Sequence, residues 1–110
     1  MSRPSAHPLL LSGDLSLRNI SELQTRLLQS LAEHRAIELA TGGVESIDVG
    51  TLQLLVAATK SAAADDRILA LAADSATPMG RALVRAGFFT EAGRPLVPTL
   101  PTWTLTREAA

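Results

Sequence analysis

The sequence contains no cysteine, which excludes disulfide frameworks and thiolate metal sites. Aromatic residues make up only 3% of the 110 residues, and the formal net charge is -1. Proteins that bind nucleic acid usually carry a basic surface for phosphates and aromatic side chains on which bases stack. We therefore expect no nucleic-acid partner. A reducing compartment fits the lack of cysteine, so we expect a bacterial-type cytoplasmic protein.

A long apolar run is also missing from the N-terminal segment "MSRPSAHPLLLSGD". Its apolar stretch is far shorter than the core of a signal peptide or a membrane span. We expect a soluble protein with no direct membrane insertion. With 46% hydrophobic residues in 110 positions, the chain fits one compact domain with a single core.

The first half of the chain alternates short apolar runs with one amphipathic stretch. The run "HPLLLSG" predicts a buried strand, and "AIELA", residues 36–40, predicts another. Between them Ser16 is the expected N-cap of a helix. The helix is indicated by apolar residues at helical spacing, namely Ile20, Leu23, Leu27 and Leu31.

The second half predicts two further helices around a third strand. From Val49 to about Ala64 one helical stripe is formed by Leu52, Leu55, Val56 and Thr59, and it ends at Asp65 and Asp66. "RILALAA" is continuously apolar and predicts a central strand covered on both faces. "SATPMGRALVRAGFF" predicts the third helix, with Pro78 in its first turn and Gly87 at its C-terminal end.

This order, β-α-β-α-β-α with short connections, predicts an α/β fold with a small sheet covered by helices. Beyond Phe89, three prolines exclude a long helix and leave at most a short edge strand around 103–106. We assign residues 1–7 to a flexible N-terminus, 8–90 to the domain and 91–110 to a Pro-rich C-terminal segment. That segment either packs through Leu96, Val97 and Trp103 or is mobile.

Three sequence segments occur in an order typical of one known family. They are "LSGDL", "VESIDVGTLQLL" and "RILALAADSATPMGRALVRAGF", and together they resemble the STAS domain of anti-sigma-factor antagonists from about Leu9 to Phe89. The "LQLL" is similar to stand-alone STAS proteins of chemotaxis operons. The resemblance implies a STAS-type fold and a non-catalytic signalling protein. Its implied partner is a protein kinase, an anti-sigma factor or a chemotaxis histidine kinase.

In this family an Asp and small hydroxyl residues open the second helix, where a kinase phosphorylates a serine. Asp48 matches the Asp, but Val49 and Gly50 stand where the hydroxyl residues are expected. Thr51 is the only hydroxyl left in the helix opening, so it is the candidate phosphoacceptor, displaced by one position. The alternative, which we favour, is that Thr51 bonds locally to backbone and Asp48 is the N-cap. Binding would then be constitutive.

The resemblance places a partner-binding surface on the loop before the second helix and on the exposed side of that helix. The expected surface residues are Ser46, Asp48, Val49, Gly50, Thr51, Leu54 and Ala58. Small residues on the helix would allow a partner backbone to approach closely, but they could equally lie under the Pro-rich segment. A homodimer is as compatible with such a face as a heterodimer.

Other motifs do not predict catalysis. His7 and His34 are isolated, with no acidic residue at metal-ligand spacing, and no Gly-Lys-Ser/Thr follows Gly42 and Gly43. We expect no enzyme activity, no metal and no cofactor. The alternative function is a small cytosolic STAS subunit that stabilises the ATPase of a phospholipid-transport ABC complex. A small-molecule-binding protein or enzyme is the third and less favoured hypothesis.

Overall fold

The computed structural model describes residues 6–97 and 100–106 as an α/β domain, which confirms the predicted fold class. Four strands alternate with three helices and a short 3-10 turn at Leu17–Asn19. The strands are β1 (His7–Leu15), β2 (Ala36–Ile47), β3 (Ile68–Asp74) and β4 (Trp103–Thr106). The helices are α1 (Ile20–Glu33), α2 (Val49–Ala64) and α3 (Pro78–Arg85). No helix among the described residues combines the length and hydropathy that a membrane crossing requires.

Local capping explains where two of the helices begin. Asp48 caps α2, as the sequence predicts, and Thr77 caps α3 with its hydroxyl accepting from the Gly80 N–H. The prediction for α1 was wrong: Ser16 precedes the 3-10 turn, and its side chain makes no capping hydrogen bond. Helix α3 ends before Gly87, whose φ of +87° is a conformation that a side chain would strain.

The four strands form one parallel sheet in the order β1-β2-β3-β4. Because all strands run the same way, their carboxyl ends meet at one edge of the sheet. Helices α2 and α3 both begin just beyond that edge, after β2 and β3 respectively. This topology therefore brings the start of α2 close to the segments that follow β1 and β3.

One face of the sheet forms the hydrophobic core with the helices. All three helices contribute to a single buried cluster, for example through Leu27, Leu55 and Leu83. Strand β3 alternates, so that Leu69, Leu71 and Ala73 are buried whereas Ile68 and Ala72 are exposed. The prediction that this strand is covered on both faces was wrong. Alanines at its outward positions make the sequence look uniformly apolar although only one face packs.

The C-terminal segment adds the fourth strand. The predicted edge strand around 103–106 is confirmed as β4, which pairs with β3. Trp103 is buried, and its Nε1 donates to the Thr59 hydroxyl of α2 at 2.9 Å. Val97 packs against the core, but Leu96 is exposed. At the other end β1 already begins at His7, while residues 1–5, 98–99 and 107–110 lie outside the described part.

Candidate functional site

The Asp48 carboxylate organises the opening of α2. Its Oδ1 accepts from the backbone N–H of Thr51 at 2.8 Å and from the Thr51 hydroxyl at 2.7 Å. Its Oδ2 accepts from the backbone N–H of Leu17 at 2.9 Å. One side chain thus caps α2 and fastens the 3-10 turn, which lies 31 positions earlier in the chain, to the same spot.

These hydrogen bonds also determine the protonation of Asp48. Bonds from the Thr51 backbone, the Thr51 hydroxyl and the Leu17 backbone hold the pKa of the Asp48 carboxyl below its ordinary value of 3.8, and they outweigh a small opposing effect of desolvation. The carboxylate is therefore ionised at neutral pH. It complements the positive end of the α2 dipole.

Thr51 is wholly buried, with 0% of its surface exposed. Its hydroxyl donates a hydrogen bond to Asp48, so the oxygen is part of the helix cap and does not face solvent. This geometry agrees with the local role that the sequence favours. Phosphorylation of Thr51 stays a prediction, and in this geometry a kinase would reach the oxygen only after the first turn of α2 had opened.

Gly50 lies beneath Leu17. A β-carbon built on Gly50 would stand 2.7 Å from Leu17 Cδ2 and 3.2 Å from Leu17 Cγ. The absence of a side chain at Gly50 therefore allows the leucine to rest on the first turn of α2. Leu17 remains 62% exposed, and Val49 beside Gly50 is 66% exposed. Two apolar side chains are thus presented to solvent next to the capped helix end.

A shallow groove adjoins Val49, between the start of α2 and the C-terminal half of α3. It encloses about 120 Å³ and is lined by Ile47, Val49, Leu52, Ala82, Arg85 and Ala86. The lining is apolar apart from Arg85. Such a surface can accept an apolar side chain of another protein.

The remaining predicted surface residues, Ser46, Leu54 and Ala58, take no part in the hydrogen bonds of Asp48. Ser46 is exposed, and its hydroxyl donates to the carboxylate of Asp14 at the end of β1. Leu54 and Ala58 are half-buried and pack against the core cluster. Ser46, Asp48, Val49 and Gly50 are gathered around the start of α2.

Sequence reasoning missed Leu17 and Arg85 as members of this surface. Neither lies in the loop that carries the family motif: Leu17 donates its backbone N–H to Asp48 from the turn after β1, and Arg85 lines the groove from the last turn of α3. The only sequence feature that could have pointed to Leu17 is its position directly after Ser16, and this is a weak indication. No group of three or more His, Cys, Asp or Glu side chains able to hold a metal occurs within residues 6–97 and 100–106.

A parallel four-stranded sheet, helices packed on it and an aspartate-capped second helix define a small α/β domain of the STAS type. A family model described as "Mlab, STAS domain" matches residues 2–97. The chain therefore belongs to the STAS domain family, and the resemblance seen in the sequence is confirmed. Membership suggests a regulatory role in general. No curated protein and no solved structure matches the chain.

Proposed function

We propose that this protein is a cytoplasmic docking module that binds a partner protein at the start of α2 without a phosphorylation switch. The observation that carries the proposal is the contrast between neighbouring residues. Val49 and the overlying Leu17 are exposed, whereas the only hydroxyl in the helix opening, on Thr51, is buried. The site exposes an apolar surface and buries the hydroxyl group that a kinase would modify.

Single exposed apolar side chains are ordinary on protein surfaces, but here Leu17 lies over Gly50, and Val49, next to that glycine, lines a groove. The hydrogen bonds of Asp48 hold the turn and the helix together, so the surface is ordered before a partner arrives. A preformed surface loses less conformational freedom on binding than a loop that must first order. Thr51 contributes by fixing Asp48, and it does not itself touch the partner.

The proposed partner is a protein kinase, an anti-sigma factor or a chemotaxis histidine kinase, as the family resemblance implies. With Gly50 at the position of the usual phosphoserine, binding is constitutive. Regulation then depends on the amount of protein present. In this proposal the protein binds and performs no chemistry, and it acts without a cofactor.

A second candidate is a small subunit that stabilises the ATPase of a phospholipid-transport complex. The observation in its favour is that the matching family model is described by Mlab and not by an anti-sigma-factor antagonist. The same surface would serve, with the ATPase subunit as its partner. The identity of the protein recovered in the experiment below separates the two candidates.

The test is affinity purification of the tagged protein from its own cells, read by mass spectrometry. Gly50→Arg puts a long cation into the space that Leu17 fills, so it should abolish recovery of the partner. Gly42→Arg is the matched control, because a β-carbon at the exposed Gly42 meets nothing within 4 Å. Circular dichroism should show both variants folded. Full recovery with folded Gly50→Arg would place the interface elsewhere.

A further inference from the structure

The two outer edges of the sheet, formed by β4 and β1, are protected in different ways. At β4 the Thr106 carbonyl accepts from the Ser75 N–H at 2.8 Å, on the β3 side. Because successive carbonyls of a strand point to opposite sides, the Leu105 carbonyl points away from the sheet. A β-carbon built on Gly93 would stand 2.9 Å from the Leu105 carbonyl oxygen. The chain at Gly93 therefore lies against the outer edge of β4.

The edge of β1 is bordered by a cavity and by side chains of α1. The cavity encloses about 260 Å³, and its lining includes Ser12 and Asp14, whose side chains are exposed, and Leu15, which is part of the core. Alternate residues of a strand project from opposite faces of the sheet, so a cavity bordered by both sets lies at the edge. Arg26 of α1 lines the same cavity. It is therefore placed at the free edge of β1.

The Arg26 guanidinium group occupies a backbone acceptor of this edge. Its Nη2 donates to the Leu10 carbonyl at 2.8 Å, although the two residues are 16 positions apart. Since backbone groups alternate in direction along a strand, Pro8 and Ser12 face the same edge as Leu10. Proline has no N–H, so an incoming strand finds no donor at Pro8. Between these two positions the edge offers a strand little to pair with.

The end of β1 is closed in a similar way. Asn19, in the 3-10 turn, donates its side-chain N–H to the Asp14 carbonyl at 3.0 Å. Of the three residues that restrict the edge, Pro8, Asn19 and Arg26, only Arg26 brings a charge. An added strand would have to displace that charge from its hydrogen bond and leave it solvated, which makes Arg26 the strongest of the three obstacles.

We propose that Arg26 keeps this protein monomeric by blocking strand addition at the edge of β1. Exposed edge strands pair readily with other chains, and charged side chains and prolines on the edge prevent this. Removal of the guanidinium group frees the Leu10 carbonyl and withdraws the charge. Two copies then pair β1 with β1, antiparallel about a two-fold axis, so that the sheet continues through the dimer. This role is separate from docking at the start of α2.

The contact between two such strands is small, so the association should be weak. One pair of short strands buries far less than the total of about 1,200 Å² at the lower limit of specific interfaces. We expect a Kd on the order of 1 mM for Arg26→Ala. At about 1 mM protein half of its chains would then be dimeric, and the weight-average mass would be about 1.5 times that of the monomer.

The experiment is sedimentation of the full chain at rising concentration, combined with amide NMR. Wild type should stay monomeric, whereas Arg26→Ala should reach about 1.5 times the monomer mass, with concentration-dependent shifts at the amides of Leu10, Ser12 and Asp14. Arg26→Lys keeps a cation at the edge and should behave as wild type. Lys60→Ala is the matched control, because it removes an exposed cation from α2 and leaves β1 untouched.

Arg26→Met is the second variant, since it keeps the aliphatic stem and removes only the guanidinium group. It should associate through the same amides, which preserves the test if the alanine variant does not fold. A folded Arg26→Ala protein that stays monomeric at the highest concentration would overturn the proposal. So would equal association of Lys60→Ala, a wild type that already pairs through β1, or shifts confined to residues outside β1.

Discussion

The side chain of Leu17 lies over Gly50, so that a β-carbon at Gly50 would come within 2.7 Å of Leu17 Cδ2. The same turn is held by the hydrogen bond from the Leu17 N–H to Asp48. The start of α2 is therefore built from two segments that are distant in sequence. The glycine at this position leaves room for the exposed Leu17 side chain, and its backbone does not adopt a positive φ.

Gly50→Ala should be tolerated by the fold. Alanine stabilises a helix by about 0.5–1 kcal/mol relative to glycine, and Leu17 is exposed enough to rotate away from the new methyl group. The free energy of unfolding, measured by urea denaturation, should stay within about 1 kcal/mol of the wild type. Partner affinity should fall, because Leu17 no longer lies in place. A loss of stability larger than that range would show that the turn is rigid.

Gly80→Ala provides the contrast within the same molecule. A β-carbon there would stand 2.0 Å from the backbone carbonyl oxygen of Asp74, at the point where α3 meets the end of β3. Backbone cannot rotate away as a side chain can, so α3 must shift. Urea denaturation should show a loss of about 3 kcal/mol or more. Wild-type stability in this variant would contradict the close packing of α3.

The stability of the protein should depend on the ionisation of Asp48. Its pKa in the folded state lies below the ordinary value of 3.8, so the folded state favours the charged form. The stabilisation is complete above pH 3.8 and is lost as the pH falls through the folded-state pKa. Asp48→Asn can still cap the helix but cannot titrate. The difference in unfolding free energy between wild type and Asp48→Asn should therefore shrink below pH 3.8, and a constant difference would be evidence against the cap.

Substitutions of Thr51 should report on the cap. Thr51→Val keeps the buried shape and removes the hydroxyl bond to Asp48, so it should cost about 1 kcal/mol in urea denaturation. Thr51→Glu places a second carboxylate beside Asp48 in a buried position and should cost more than about 3 kcal/mol. This variant would act by unfolding the helix start and would not imitate a phosphate. A stable, folded Thr51→Glu protein would indicate that the turn opens readily.

The hydrogen bond between Trp103 and Thr59 should hold the C-terminal strand in place. The Thr59 hydroxyl donates a hydrogen bond to the Leu55 carbonyl at 2.8 Å and accepts one from Trp103 Nε1. Thr59→Val would leave the indole N–H buried without an acceptor, at a cost of about 2 kcal/mol. The double variant with Trp103→Phe should cost about 1 kcal/mol less than the sum of the single variants. Strict additivity in urea denaturation would mean that the bond contributes nothing.

Much of the fold could be predicted from the sequence because its signals are local. The Asp48 cap, the end of α2 at Asp65, Pro78 in the first turn of α3 and the strand around Trp103 each follow from short-range patterns. The uncovered face could not be predicted in this way. Alanine occurs at outward positions such as Ala70 and Ala72 and also in the core at Ala73, and only the three-dimensional arrangement shows that no element among residues 6–97 and 100–106 covers the outward ones.

Only part of the site could be predicted from the sequence, because sequence patterns report residues that are close along the chain. The loop residues Ser46, Asp48, Val49 and Gly50 do lie together, since they are contiguous or nearly so. Leu17 and Arg85 reach the site through tertiary packing, and no pattern in the sequence reports that placement. The burial of Thr51 also depends on packing that its neighbours in sequence do not reveal.

The most direct test of the account compares tagged wild type and Thr51→Val in affinity purification from the protein's own cells, with and without phosphatase. Because the Thr51 hydroxyl is buried and bonded to Asp48, we predict the same partner in the same amount from all four samples, with Thr51 of the wild-type protein unmodified in the mass spectrum. Phosphate on Thr51 together with phosphatase-dependent recovery of the partner would contradict constitutive docking and would establish a switch displaced by one residue.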